Sequence, residues 1–309
     1  FSPNSILHID QQSTRFSRRS GGVDGWRVNL HPYIEIPWAL EAGGLSAVLM
    51  AGSQHTRYWL QKSALANSNP TRTTREASLE VRLDFERIGE RDEDTQRLWR
   101  HVVSPIMRYD YVDAPNQSLL PNFDSGFGLL TWSNLLSGNH FSGLDRIEKS
   151  NRFSALLENR LQLKSEQGAA ARDVLIVRGG LSYDLLQKSI DPALQATPTR
   201  PFSNLLGEFI WQPLANMRLY TSGQYNPADR YWTNYNAAIG FSASGNVLNL
   251  AYQFTDRRYS TKAQLFSASG SVGLGKRLKA TGLWQYDMVT KYTQQTSVGL
   301  QYEHPCWTF

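Results

Sequence analysis

In the stretch GWRVNLHPYIEIPW, Trp26, Val28, Leu30, Pro32, Ile34 and Ile36 fall at every second position, and Arg27, Asn29, His31, Tyr33 and Glu35 fill the places between. A side-chain period of two puts one set on each face of a β-strand. ASLEVRLDFER repeats the pattern, with Ala77, Leu79, Val81, Leu83 and Phe85 against Ser78, Glu80, Arg82, Asp84 and Glu86. Its polar face is almost wholly charged. Weaker alternation recurs near residues 5–17, 46–58, 99–112, 152–163, 173–185, 203–212, 217–226, 231–242, 246–256, 262–274, 278–287 and 293–303. The chain reads as all-β and antiparallel, with about fourteen strands, and residues 1–309 read as one domain.

Strand and connection lengths choose among the all-β architectures. Globular strands commonly run five or six residues, whereas crossing a bilayer at about 45° takes roughly 9 to 11. These strands run at the longer value. PLAN (213–216), SASG (242–245) and GK (275–276) are tight turns, while residues 59–75, 113–151 and 186–202 are long connections. Short turns on one side and long loops on the other are expected of a transmembrane β-barrel, with the short side periplasmic. Trp26, Trp38, Trp59, Trp99, Trp211 and Trp232 lie close to strand ends, as interfacial girdle residues do. Trp132, Trp284 and Trp307 fit that scheme less well. The bilayer reading makes the apolar face lipid-facing and turns Arg27, His31, Glu35, Arg82, Asp84 and Glu86 into the lumen.

Composition removes other classes. The longest apolar stretch, GGLSAVLMAG at 43–52, is about half of what a membrane helix needs. The 32 basic and 27 acidic residues are interspersed, so the net charge of +5 makes no basic face for nucleic acid. GSVGLGKR (270–277) has the spacing of a phosphate loop, but Arg277 stands where a Ser or Thr must bind magnesium. The six histidines are scattered, no catalytic or metal-ligating grouping stands out, and neither an enzyme nor a cofactor is indicated. The chain opens FSPNSILHID, with neither an initiator Met nor a signal pattern, and reads as a fragment.

The connection at 113–151 is the feature most suggestive of function, because compact domains seldom carry so long a loop without a use for it. It contains LPNFDSGFG (120–128) and NHFSGLDRIEKSNR (139–152). Asn122, Asp124, Asp145 and Arg146 can hydrogen-bond or pair across it, Gly126, Gly128 and Gly143 permit tight turns, and Phe123, Phe127 and Phe141 can form an apolar anchor. An Ω-loop packed on its own side chains is the plainer alternative.

The segments YDYVDAPNQSLLPNFDSGFG, NHFSGLDRIEKSNRFS and VGLQYEHPCW resemble the barrel domain of the LptD family, the lipopolysaccharide-assembly proteins also called Imp or OstA. That family's barrel is far larger, so the resemblance implies an internal portion without the N-terminal periplasmic domain or the gate strands. It implies further that the long loop, through Asn122, Phe123, Asp124, Phe141, Gly143, Asp145 and Arg146, plugs the lumen of a translocon that inserts lipopolysaccharide into the outer leaflet. Implied partners are the lipoprotein LptE, the periplasmic Lpt bridge, the barrel-assembly machinery and outer-membrane lipid. The family ends one strand with two adjacent cysteines; here Pro305 takes the first place, so Cys306 alone is implied in an interdomain disulfide, the alternative being a buried free thiol. A general diffusion porin, or another outer-membrane transport barrel, and a soluble all-β binding module such as a propeller are the rival readings.

Overall fold

The computed structural model describes residues 4–17, 23–40, 43–61, 68–89, 98–128, 130–164, 171–186, 201–258, 262–275, 277–304 and 307–308. Its first half contains β1 (Ile6–Phe16), β2 (Asp24–Leu40), β3 (Leu45–Gln61), β4 (Thr71–Leu83), the short β5 (Phe85–Ile88), β6 (Leu98–Asp113), β7 (Ser150–Lys164) and β8 (Arg172–Asp184). The second half adds β9 (Leu205–Leu214), β10 (Met217–Asn226), β11 (Tyr231–Ala243), β12 (Asn246–Thr255), β13 (Ala263–Gly273), β14 (Leu278–Asp287), β15 (Tyr292–His304) and the two-residue β16 (Trp307–Thr308). One helical turn, α1 (Trp132–Leu135), lies between β6 and β7.

Each long strand neighbours the next one in sequence, the order running from β1 to β16 with β5 set aside against β6. Such a ladder needs no crossover, since every connection is a hairpin. The chain divides into two compact units. One comprises Phe1–Asp84, Ser104–Leu156 and Gly180–Ser203, and the other Phe85–Val103, Leu157–Gly179 and Asn204–Phe309.

The strand expectations survive with two corrections. ASLEVRLDFER is not one strand, because the ladder breaks at Asp84, whose amide donates to the Gly44 carbonyl at 2.7 Å. Also, β4 starts at Thr71, in a stretch, TRTTREA, too polar on both faces for alternation to mark it. The phosphate-loop lookalike joins β13 to an antiparallel β14.

Burial runs opposite to that of a soluble sheet. On β2, Arg27 and Asn29 are buried while Trp26, Leu30 and Ile34 are exposed. On β6, Ser104 and Asp110 are buried and Met107, Tyr109 and Tyr111 are exposed; on β7, Ser150, Arg152 and Ser154 are buried and Phe153 and Leu157 are exposed. The period of two is thus fully used, with the polar face inside. Among the described residues, buried polar and charged side chains outnumber buried apolar ones. A small buried apolar cluster among the described residues, Val112, Ala114 and Ile147, lies at the foot of the long loop.

Candidate functional site: a loop locked onto the polar face

The connection from β6 to β7 folds back over the buried face of β2, β3 and β4, held by one carboxylate. Asp145, fully buried, accepts from Arg27 Nη1 on β2 at 2.8 Å and from Tyr58 Oη on β3 at 2.9 Å. Its other oxygen accepts from the backbone amides of Phe123, at 2.5 Å, and Asp124, at 3.0 Å. A buried carboxylate with four donors is satisfied, as burial of a charge demands. Arg27, 1% exposed, also forks onto both oxygens of Asp124 at 2.8 and 2.7 Å. Two segments twenty residues apart in the loop are therefore tied to one strand through a single guanidinium. The Arg27 hydrogen bond, aided by the Leu144 amide and opposed by partial burial, holds the Asp124 carboxyl down at about 2.

Arg72 on β4 clamps the loop backbone. It donates to the carbonyls of Asp145, at 2.8 Å, and Leu144, at 2.6 Å, and to Gln117 Oε1 at 3.1 Å. Gln117 in turn holds Ile147 through both its amide and its carbonyl, at 3.0 and 2.6 Å. A second buried knot lies beside the start of β7, where Glu148 accepts from the His140 amide at 3.1 Å, from its Nδ1 at 2.9 Å and from Arg152 Nη2. Leu135 of α1 is fully buried against β8, where a Cβ on Gly180 would come within 2.6 Å of its side chain. A glycine is what lets the helix turn sit there.

The loop residues expected from sequence are all in this connection, with different partners in part. The Asp145 carboxylate and the Arg146 guanidinium form no ion pair among the described residues. Arg146 donates to backbone carbonyls, those of Pro121 and Leu120, both at 2.9 Å, and that of Asp145 at 3.0 Å, closing the loop's own neck. Asn122 caps a tight turn with Ser125. Of the three glycines, Gly143 alone takes a positive φ, +66°, and a Cβ there would lie 2.5 Å from the Asp124 carbonyl. Nor do the three phenylalanines form one cluster. Phe127 and Phe141 make an edge contact at 5.4 Å, while Phe123 stacks on Phe16 of β1 at 4.2 Å. The loop is also less irregular than its sequence suggests, carrying α1 and a bridge between Phe127 and Phe141.

The other charged residues of the polar face are ion-paired. His31 meets Glu76, Glu35 meets His8 at 3.3 Å, Arg82 meets Asp84 at 2.9 Å and Glu86 meets Arg100 at 2.7 Å. Tyr58, Arg72, Gln117, His140, Glu148 and Arg152 were missed from sequence. Tyr58 sits on the inward face of β3, and that periodicity was the signal available; Arg72 lies where both faces of β4 are polar and alternation gave none. Cys306 lies outside the described residues.

The family model described as LPS transport system D matches residues 3–267. Among curated relatives, the LPS-assembly protein LptD of Coxiella burnetii is 23% identical over 99% of this chain and 37% of its own length. That of Chromobacterium violaceum is 26% identical over 100% of this chain and 38% of its own, and that of Paraburkholderia xenovorans 29% identical over 67% and 26%. The chain thus spans between about a quarter and two fifths of the length of the curated relatives it matches. A solved structure, the translocator domain of autotransporter NalP from Neisseria meningitidis, is matched over 97% of this chain and 88% of that one at 13% identity and a TM-score of 0.18, too low to bear on the fold. With 3–267 matched, and with the loop motifs FDSGFG and FSGLDRI falling inside that span, the chain belongs to the LPS transport system D family.

Proposed function

We propose that this chain supplies wall and plug to a Gram-negative outer-membrane barrel that inserts lipopolysaccharide into the outer leaflet. The observation that carries the proposal is the loop fastened by Asp145 and Arg72 across β2, β3 and β4 on their polar face. Lipopolysaccharide has a large polar head and several acyl chains. A polar inner face suits the head, and a barrel wide enough for it leaks unless something fills it. A folded-in loop held by charge-assisted bonds, each about twice the strength of a neutral one, is a suitable filling. An open diffusion porin fits less well, because Arg27 and Arg72 on the inner face are spent on the loop rather than presented to solute.

The outer face supports the membrane setting. Trp26 and Trp38 on β2 are twelve positions apart, which is about 40 Å along a strand and about 28 Å across a bilayer at 45° tilt. An apolar band about 25 Å tall fits between them. Family membership supports a finer proposal of partners: LptE as a second plug, the periplasmic Lpt bridge, and the barrel-assembly machinery for insertion. Depleting the full-length protein should deprive the cell surface of new lipopolysaccharide, read by surface labelling of its sugars after a pulse. Undiminished surface label would refute the reading.

A further inference from the structure

The outer face of β1 to β4 at the loop end breaks the rule that holds over the rest of it. Where apolar residues are expected, it carries Arg15, Arg57 and Arg75. All three are exposed, and none makes an ion pair among the described residues. Arg15 lies over the Trp26 ring at 5.9 Å and Arg57 over the Trp59 ring at 5.0 Å. The two indoles are direct register partners, 44% and 38% exposed, and Arg15 is opposite Trp26, so the four side chains form one outward surface. Strand spacing and rise put the two arginine backbones about 12 Å apart. Beside them, His55 bridges Ser53 and Thr73 hydroxyls at 3.1 Å on each side. Two carboxylates lie close by in the sheet. Asp113, opposite Arg75, is taken by Lys149 at 3.1 Å, and Asp24 is engaged elsewhere.

An arginine on a lipid-facing wall is costly at the bilayer midplane and nearly free at the interface. Indoles settle at headgroup depth. Three cations without carboxylate partners among the described residues, two of them oriented by indole faces, make at that depth a surface for an anion that arrives with the membrane. We propose that this patch binds the phosphorylated headgroup of a glycolipid in the leaflet on the loop side, holding one lipopolysaccharide molecule against the outside of the wall. The choice of lipid rests on the assembly reading above. The site itself rests on charge and depth.

The test uses the full-length protein, purified in mild detergent, stripped of lipid and reloaded in vitro with lipopolysaccharide, so its outcome does not depend on whether the protein assembles lipopolysaccharide in cells. Retained lipid per protein is counted by native mass spectrometry. The triple variant R15Q/R57Q/R75Q should retain about tenfold less than wild type, the loss expected when charge-assisted contacts go. R87Q, which removes a similar arginine stacked on Trp99 at 5.7 Å but at the opposite end of the strands, should match wild type. Dephosphorylated glycolipid should load poorly on wild type, and millimolar inorganic phosphate should not displace the loaded lipid. Should the triple variant fail to fold, as judged by heat-modifiable gel mobility, R57Q alone decides by the same count. Equal retention by wild type and variant, an equal loss in R87Q, or displacement by free phosphate would each overturn the site.

Discussion

Asp145→Ala is the substitution that most directly loosens the loop. It removes the acceptor of four hydrogen bonds, from Arg27, Tyr58 and the amides of Phe123 and Asp124. Deleting one partner of a buried ion pair costs about 3 to 5 kcal/mol, because the other charge is left buried. Arg27 keeps its fork on Asp124, so the lower end applies, about 3 kcal/mol or a roughly hundredfold rise in the open population. Asp145→Asn retains one acceptor oxygen and the shape of the side chain, and should fall between. The strands would still pair, since none of these bonds belongs to the ladder. Limited proteolysis of the full-length protein in native membranes reads the effect, because cleavage of a transiently opened segment follows its population. Nicking within 120–146 should accelerate by about two orders of magnitude in Asp145→Ala, with barrel yield normal. A folded barrel whose loop is cut no faster than wild type would show that the carboxylate does not hold it.

Gly143→Ala places a side chain at φ +66° and 2.5 Å from the Asp124 carbonyl; about 1 to 3 kcal/mol of strain should likewise speed loop cleavage, and an unchanged rate would contradict the geometry. Val81→Arg, on the apolar face opposite Ala47 and Met107, should impair assembly by roughly 2 to 4 kcal/mol if it lies near the midplane, whereas Arg82→Val leaves Asp84 bonded to Ser104 and should be mild; heat-modifiable gel mobility of both reverses in rank if the strand is inside out. The Asp124 carboxyl, depressed by Arg27 to about 2, contributes stability that is complete above the ordinary carboxylate pKa of about 4 and is lost as pH falls through the folded value. Amide exchange at Phe123 and Asp124, corrected for its intrinsic pH dependence, should therefore stay protected at pH 5 and lose protection only toward pH 2; loss already at pH 5 would refute the pairing.

Alternation located most of the long strands to within a few residues, most sharply where the apolar face is unbroken, as in Trp26 to Ile36. It failed at Thr71–Glu76, where both faces are polar because one carries Arg72 and Thr74 to the loop and the other carries the exposed Arg75. It also ran through Asp84, since a break in the ladder made by a backbone bond to Gly44 leaves no trace in side-chain periodicity. The loop's importance was legible from its length and motifs, and Asp145 stood out among its residues. Its partners did not, because Arg27 is 118 positions away and nothing local in either segment encodes the pairing. Pairing was expected across the loop itself, whereas a buried carboxylate takes whichever donors the folded sheet presents.

In the proposed barrel, the 113–151 connection closes the lumen. Deleting residues 120–146 from the full-length protein removes Asp124 and Asp145 together with Phe123, while the strands on either side keep their ladder partners. Vancomycin sensitivity of the cells, measured beside the amount of folded barrel in the outer membrane, reads the opening. Raised sensitivity at normal barrel levels is the expected result. Unchanged sensitivity with normal barrel levels would mean that the loop seals nothing.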